Sequence, residues 1–408
     1  MDKLAIDGGK PVRTDPMPKR RLFGEEEKKA AMRVFDEAIA SGEAFGYNGP
    51  HEQEYEKTFC DYMEGGFADG VNSGTSAVFV ALGALQLEAG SEVIVPPITD
   101  SGGVMPVIML NCIPVVADSD PRSYNTGPEQ VSKVLTERTK AIIVAHIGGD
   151  PVDMDPIMKI ARSRNIPVME DCAQAHGARY KGRLVGTIGD IATFSTMFGK
   201  LHTTGGQGGV VYTRNEELFW RAKRFADRGK PFNLPDATKC VTVGLNLNLN
   251  ELSAAIGVPQ IKKLNSIISR RRKVAEAIKE RLNKESEIVS VGWQVPETES
   301  SYWVLCIHLE TDKLKVNKDT FAKAIEAEGI HVKSRTYGNT ISDSPWWRNK
   351  NPWEFSKDKY NDRNYPCPNA TNFREKKAFN LGINEQYGEK EVDDIVNALK
   401  KAEQVYKK

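Results

Sequence analysis

A lysine stands at position 200 in IATFSTMFGKLHTTGGQGGVVYT, just after one β-branched run and ahead of a glycine-rich turn that leads into another. That placement projects an ammonium from a sheet end into a cleft, and the glycines let a bulky ligand approach the backbone. A surface lysine in a loop is the plainer alternative, but Ser195 precedes it on the same strand and two threonines follow. In IPVMEDCAQAHGA an apolar run ends on Glu170-Asp171. This puts a carboxylate at the carboxyl edge of the sheet, where α/β folds bind ligands; taken alone, Asp171 reads as a helix N-cap. In GVNSGTSAVFVALGALQ a short strand precedes Ser73, Gly74, Thr75 and Ser76, and an apolar helical pattern follows from Ala77 to Leu87. The free N–H groups of such a first turn, with the dipole and the hydroxyls, suit a phosphate. Together the three segments match the needs of pyridoxal 5'-phosphate: a phosphate anchor, a carboxylate that keeps the pyridine nitrogen protonated, and an amine for the aldehyde.

The elements that must position these groups are legible as a change of rhythm between about residues 68 and 215. Short apolar runs at 93–96, 113–117, 141–146, 166–170, 191–195 and 209–213 alternate with helical stretches. Runs of that kind suit strands buried on both faces, so the expected fold class is α/β, with a large, mostly parallel-sheet domain and a small α+β C-terminal domain. The expected organisation is an extended arm over 1–24, rich in Gly and Pro, a large domain over 25–255 and a small domain over 256–408. Helical spacing is expected at 25–39, over 250–283, near 318–328 and at the C-terminal end. The basic run Arg270 to Lys273 reads as a solvated helix face.

Composition narrows the function classes. With 408 residues, 56 basic and 55 acidic side chains and a net charge of +1, the chain offers no field for a nucleic-acid backbone or an anionic membrane. No apolar run approaches the ~20 residues that span a bilayer. The six cysteines form no CxxC pair and suit a reducing cytoplasm. His146 and His176 lie beside strand ends and read as satisfied buried histidines rather than metal ligands; no metal is expected.

Beyond these local readings, the chain resembles the DegT/DnrJ/EryC1/StrS aminotransferases, which are similar in fold to aspartate aminotransferase (fold type I). The resemblance runs through LAIDGGKPVR, FGYNGPHEQEYEKTF, VNSGTSA, GSEVIVPPIT, EDCAQAHGA, FSTMFGKLHTTG and GLNLNLNELSAAIG. It implies Lys200 as the Schiff-base lysine, Asp171 as the pyridinium partner and Gln174 as a partner of the ring hydroxyl. It further implies Gly74, Thr75, Ser76 and Ser195 as phosphate ligands, and Asn246 reaching the phosphate from the other subunit of a homodimer. The implied activity is a ping-pong transfer of an amino group from glutamine or glutamate to a keto-sugar or keto-cyclitol, the opening segment being most like the inosose-type subgroup.

Four positions depart from the family pattern. Asp100 follows Thr99 where an aromatic usually stacks on the cofactor ring, Asn248 replaces an arginine, TTGGQGG is one residue longer than usual, and no histidine follows the small-domain strand in VKSRTYGNTISDSPWW. Asp100 is thereby a candidate substrate residue. Two rival readings follow: a sugar dehydratase on the same scaffold, which usually has His at the lysine position, and a non-catalytic protein that keeps the fold.

Overall fold

The computed structural model describes residues 3–333, 340–348 and 365–408; part of the VKSRTYGNTISDSPWW segment, Tyr337 included, lies outside these. The β-branched runs become a seven-stranded sheet of β1 (Phe67–Val71), β2 (Glu92–Val95), β3 (Ile113–Val116), β4 (Thr139–Ala145), β5 (Val168–Asp171), β8 (Ile191–Ser195) and β9 (Gly209–Thr213), in the order β1-β9-β8-β5-β4-β2-β3. Only β9 runs antiparallel to its neighbours. Every residue of β2, β3, β5, β8 and β9 is buried, which explains their lack of alternation. The run expected at 166–170 begins its ladder at Val168, since Pro167 has no N–H, and the carbonyl of Pro167 still accepts from Ile142 N at 3.0 Å. The strand consequently ends on Asp171 itself. Between β5 and β8 a short hairpin, β6 (Arg179–Tyr180) and β7 (Arg183–Leu184), pairs with β11 (Thr298–Glu299).

A second sheet joins β10 (Val289–Val291), β12 (Leu305–Leu309), β14 (Ala378–Leu381) and β13 (Val332–Lys333), all antiparallel, under the helices Lys318–Ala327 and Glu389–Tyr406. The 250–283 pattern is one helix, Glu251–Glu285, with Pro259 inside it. Its first half packs Ala254, Val258 and Ile261 into the large core, and its second half packs Val274, Ala275, Ile278 and Leu282 into the small one. The boundary expected at 255/256 therefore falls inside an element that both cores share.

Half of the basic run departs from its expected reading as a solvated face: Arg270 and Lys273 are exposed, but Arg271 and Arg272 turn inward. Arg271, on the same helix face as Ile267, Val274 and Ile278, is buried and donates to Glu385 Oε2 at 2.9 Å and to Tyr302 O at 2.9 Å. Arg272 reaches Ser300 O at 2.8 Å and Gly177 O at 3.0 Å. The arm, too, is packed: Leu4 is buried in the small core, Ala5 N donates to Glu328 Oε1 at 2.8 Å, and Arg13 pairs with Glu391 and Asp394.

Under β1 lies a cluster of Glu52, Glu56 and Asp69 around the single cation Lys223, which reaches Asp69 Oδ1 at 2.7 Å and Glu56 Oε1 at 3.3 Å. Burial, and then the neighbouring Glu56, push the Glu52 carboxyl from 4.5 up to about 8. Between those two values the unfolded chain ionises Glu52 while the folded chain keeps its proton, so this group lowers stability progressively as pH rises. Glu52→Gln should match wild type near pH 4 and exceed it at pH 8 by on the order of 2 kcal/mol, in urea melts run at both pH values. A Gln variant less stable at pH 8 would mean that Glu52 is ionised in the fold.

Candidate active site

Three segments meet at the carboxyl edge of the large sheet. Ser73 caps the helix Gly74–Ala84, its hydroxyl accepting from Ser76 N at 3.1 Å, and Ser76 Oγ donates to Asn72 Oδ1 at 2.6 Å. Gly74 is required here: a Cβ on it would stand 2.7 Å from Ser195 Cβ, so the first turn of the helix and the end of β8 are in contact. A Cβ on Gly102 would stand 2.2 Å from Thr75 Oγ1. The turn that carries Asp100 thus closes against the same helix start. Gly74, Thr75 and Ser195 are in this way brought together at a helix start, whose free N–H and O–H groups suit a phosphate, while Ser76 beside them spends its N–H on Ser73 and its hydroxyl on Asn72.

Asp171 pairs in register with Thr193 of β8 and Ala145 of β4, and its Oδ1 accepts from Ala173 N at 3.0 Å; turns rather than a helix follow it, so this contact closes a turn and the expected helix N-cap is not formed. Burial raises its carboxyl, and the Ala173 N–H and the Lys200 charge only partly oppose that shift. A cation against Asp171 is what this carboxylate lacks, and a protonated pyridine nitrogen supplies one. Lys200 is 8% exposed; burial lowers its amine, against the opposing pull of Asp171 first and Asp100 second. The donor set therefore fits pyridoxal phosphate.

Gln174 is buried and its Oε1 accepts from Gly148 N at 2.8 Å, which orients the carboxamide. Asp100 caps the short turn Ser101–Gly103 through Gly102 N at 2.8 Å and remains exposed within the field of both Lys200 and Asp171. Asn246 is exposed on the segment before helix Glu251–Glu285, its Oδ1 accepting from Asn248 Nδ2 at 2.7 Å, while the next residue's carbonyl, Leu247 O, accepts from Asn72 N at 2.8 Å.

The two strand-end histidines differ. His146 Nδ1 accepts from Val152 N at 2.9 Å, so the proton lies on Nε2, 3.1 Å from Glu170 Oε2. His176 corrects the expectation of a satisfied histidine: both ring nitrogens are buried without a partner, among Phe194 and His202 at 5.4 and 5.6 Å, and burial drives its pKa well down. A neutral ring in an aromatic cluster loses less by this than a charged one would.

Sequence reading missed two residues that frame the lysine. Trp303 places its ring 4.5 Å from Lys200 Nζ, and Arg20 donates to Lys200 O at 2.8 Å while its Nε reaches Glu385 at 3.0 Å. The only local signals were a tryptophan directly before the VLCIHLE strand and the KRR run of the arm.

Lys200 and Asp171, both buried and each within the other's field, stand with the helix start at Gly74 on the carboxyl side of this mixed sheet, an arrangement consistent with a pyridoxal-phosphate-dependent enzyme of fold type I. The chain belongs to the DegT/DnrJ/EryC1/StrS aminotransferase family, whose model matches residues 25–400. It is 30% identical over 367 residues to a putative L-glutamine:3-amino-2,3-dideoxy-scyllo-inosose aminotransferase of Streptoalloteichus tenebrarius, covering 89% of this chain and 88% of that protein. The aminotransferase of Psychrobacter cryohalolentis superposes with a TM-score of 0.83 at 28% identity, over 96% of this chain and 98% of that one. The E. coli GDP-4-keto-6-deoxy-D-mannose-3-dehydratase, which holds hydrated pyridoxal phosphate, superposes with a TM-score of 0.81 at 25% identity, over 95% and 99%.

Asp171→Asn should keep cofactor binding, since the helix start at Gly74 is untouched, and lower turnover by about a hundredfold or more, because an amide does not hold the ring nitrogen protonated. Cofactor titration by absorbance and steady-state rates check this; near-wild-type turnover would reduce Asp171 to a turn-closing residue.

Proposed function

We propose that this chain moves an amino group from glutamine or glutamate to a keto-sugar or keto-cyclitol in two half-reactions. The observation that carries the reading is Lys200, a buried amine held between Asp171 and Asp100 at the sheet edge. The inosose-aminotransferase relative supports the acceptor class, and a lysine rather than a histidine at position 200 weighs against the dehydratase reading.

Pyridoxal phosphate supplies, when bound, an electron sink for the carbanion formed at the amino carbon. Lys200 Nζ takes and returns the proton at that carbon, and its burial lowers the amine's pKa, the direction that favours this work. With the cofactor bound, Asp171 would hold the proton on the ring nitrogen, Gln174 would orient the ring hydroxyl, and Ser195, Thr75 and the N–H groups at the start of the Gly74–Ala84 helix would hold the phosphate, with Ser76 beside them. Asp100 repels a carboxylate-bearing substrate and accepts hydrogen bonds from hydroxyl groups, so it belongs with the acceptor. Asp100→Ala should therefore slow the ketone half-reaction at least about tenfold more than the glutamine half-reaction, each followed separately by cofactor absorbance. Equal losses would remove Asp100 from acceptor recognition.

The same reading includes a homodimer with shared sites. Met32, Phe35, Ile39 and Phe45 from the first helix and its exit, Phe198 beside Lys200, and Val241, Val243 and Leu245 beside Asn246 are all exposed apolar side chains. Such a spread of apolar surface suits a second copy of the chain. Lys200→Ala and Asn246→Asp should each be nearly inactive, yet coexpressed they should regain about a quarter of wild-type sites, since about half the dimers are mixed and each has one intact site of two. A verified mixed dimer without activity would place Asn246 in its own chain's site.

A further inference from the structure

We propose that Trp303 is a positioning residue whose indole face holds the Lys200 Nζ while that amine carries a proton. This rests on the reading of Lys200 as the working lysine. The ring centroid lies 4.5 Å from Nζ, within the range where an aromatic face attracts a cation. The ring is fixed in place: its Nε1–H donates to Gly199 O at 3.0 Å, so the indole is tied to the backbone next to the lysine it faces. It also packs on Leu201, Leu264, Ile267 and Ile268.

The segment that carries the ring is held from both domains. Ser301 N donates to Gly149 O at 3.1 Å and Val304 N to Gly148 O at 3.3 Å. Arg271 Nη1 binds Tyr302 O at 2.9 Å and Trp303 O at 3.3 Å, and Arg272 Nε binds Ser300 O at 2.8 Å. A side chain held by so many contacts keeps its distance from Nζ fixed.

The chemistry explains why a ring is useful there. Among the described residues, the charged and titratable groups that face Nζ are Asp171 from the end of β5, Asp100 from the turn after β2, and His176 behind β5, whose pKa burial drives well down; Arg20 meets Lys200 through the backbone carbonyl. A carboxylate that steadies an ammonium also accepts its proton in a hydrogen bond, which must break each time the amine gives the proton up. An indole face attracts the cation and accepts no proton, so the amine is held without being disarmed.

The test follows the capture of pyridoxal 5'-phosphate by the apo-protein. Borohydride reduction at successive pH values, with mass quantification of the Lys200 peptide, gives the midpoint at which the amine becomes reactive. Because the ring favours the protonated amine, its removal lowers that midpoint: Trp303→Leu should shift it down by about one pH unit, and Trp303→Phe should keep most of the wild-type value. Trp303→Met serves the same purpose as Leu if the Leu variant does not fold. A purely structural role would reduce capture at every pH and leave the midpoint in place, and an unchanged midpoint in the non-aromatic variants overturns the proposal. Cofactor mass on a lysine other than Lys200 would instead overturn the underlying reading of the site.

Discussion

A lysine with 8% of its surface exposed has to find its amine's stabilisation inside the protein, and the arrangement around Lys200 follows from that requirement. Full pairing with a carboxylate would make the lysine a structural cation. Solvation would make it an ordinary surface amine. The chain takes neither course: Asp171 and Asp100 act at a distance, and an indole face stands at 4.5 Å. Burial lowers the amine's pKa and the two carboxylates only partly oppose it, which favours the proton release a proton carrier needs.

That condition depends on parts of the chain far from position 200. Arg20, in the N-terminal arm, grips the carbonyl of Lys200 and Glu385; Arg271 grips the other oxygen of Glu385 and the carbonyls of Tyr302 and Trp303. Arm, small domain and helix Glu251–Glu285 are thereby joined in one hydrogen-bonded path that ends on the two residues facing each other across Nζ. Breaking one member leaves a buried charge without its partner, a loss larger than the pair's own contribution.

The distinction between what was and was not legible in the sequence follows this same division. The placement of Lys200, Asp171 and the Ser73–Ser76 turn at one sheet edge is legible because each stands in a few consecutive residues that mark a strand end or a helix start. The strand set was readable because burial on both faces leaves unbroken β-branched runs, with an error of two residues at 166–167 where proline withholds a donor. Trp303 and Arg20 were not readable, since their meaning lies in partners 104 and 180 positions away. Within the basic run, Arg271 departs from its expected reading for a related reason. Charge in a helix suggests solvent, whereas the helical period here turns Arg271 toward the core, where carbonyls and Glu385 await it.

Glu170 and Asp171 show what separates a structural carboxylate from a chemical one. They are consecutive in β5, both buried, and the pleat sends them to opposite faces. Glu170 accepts from Gly186 N, Ile188 N and Gly189 N and faces His146 Nε2; those contacts outweigh burial and hold its carboxyl below the usual range. Asp171 has the Ala173 N–H and a distant lysine, and burial holds its carboxyl above that range. Burial alone would rank the two alike. Hydrogen-bond satisfaction ranks them apart: the first is complete as a buttress of the strand end, and the second has capacity left for a cation, which the proposed chemistry assigns to the protonated ring nitrogen.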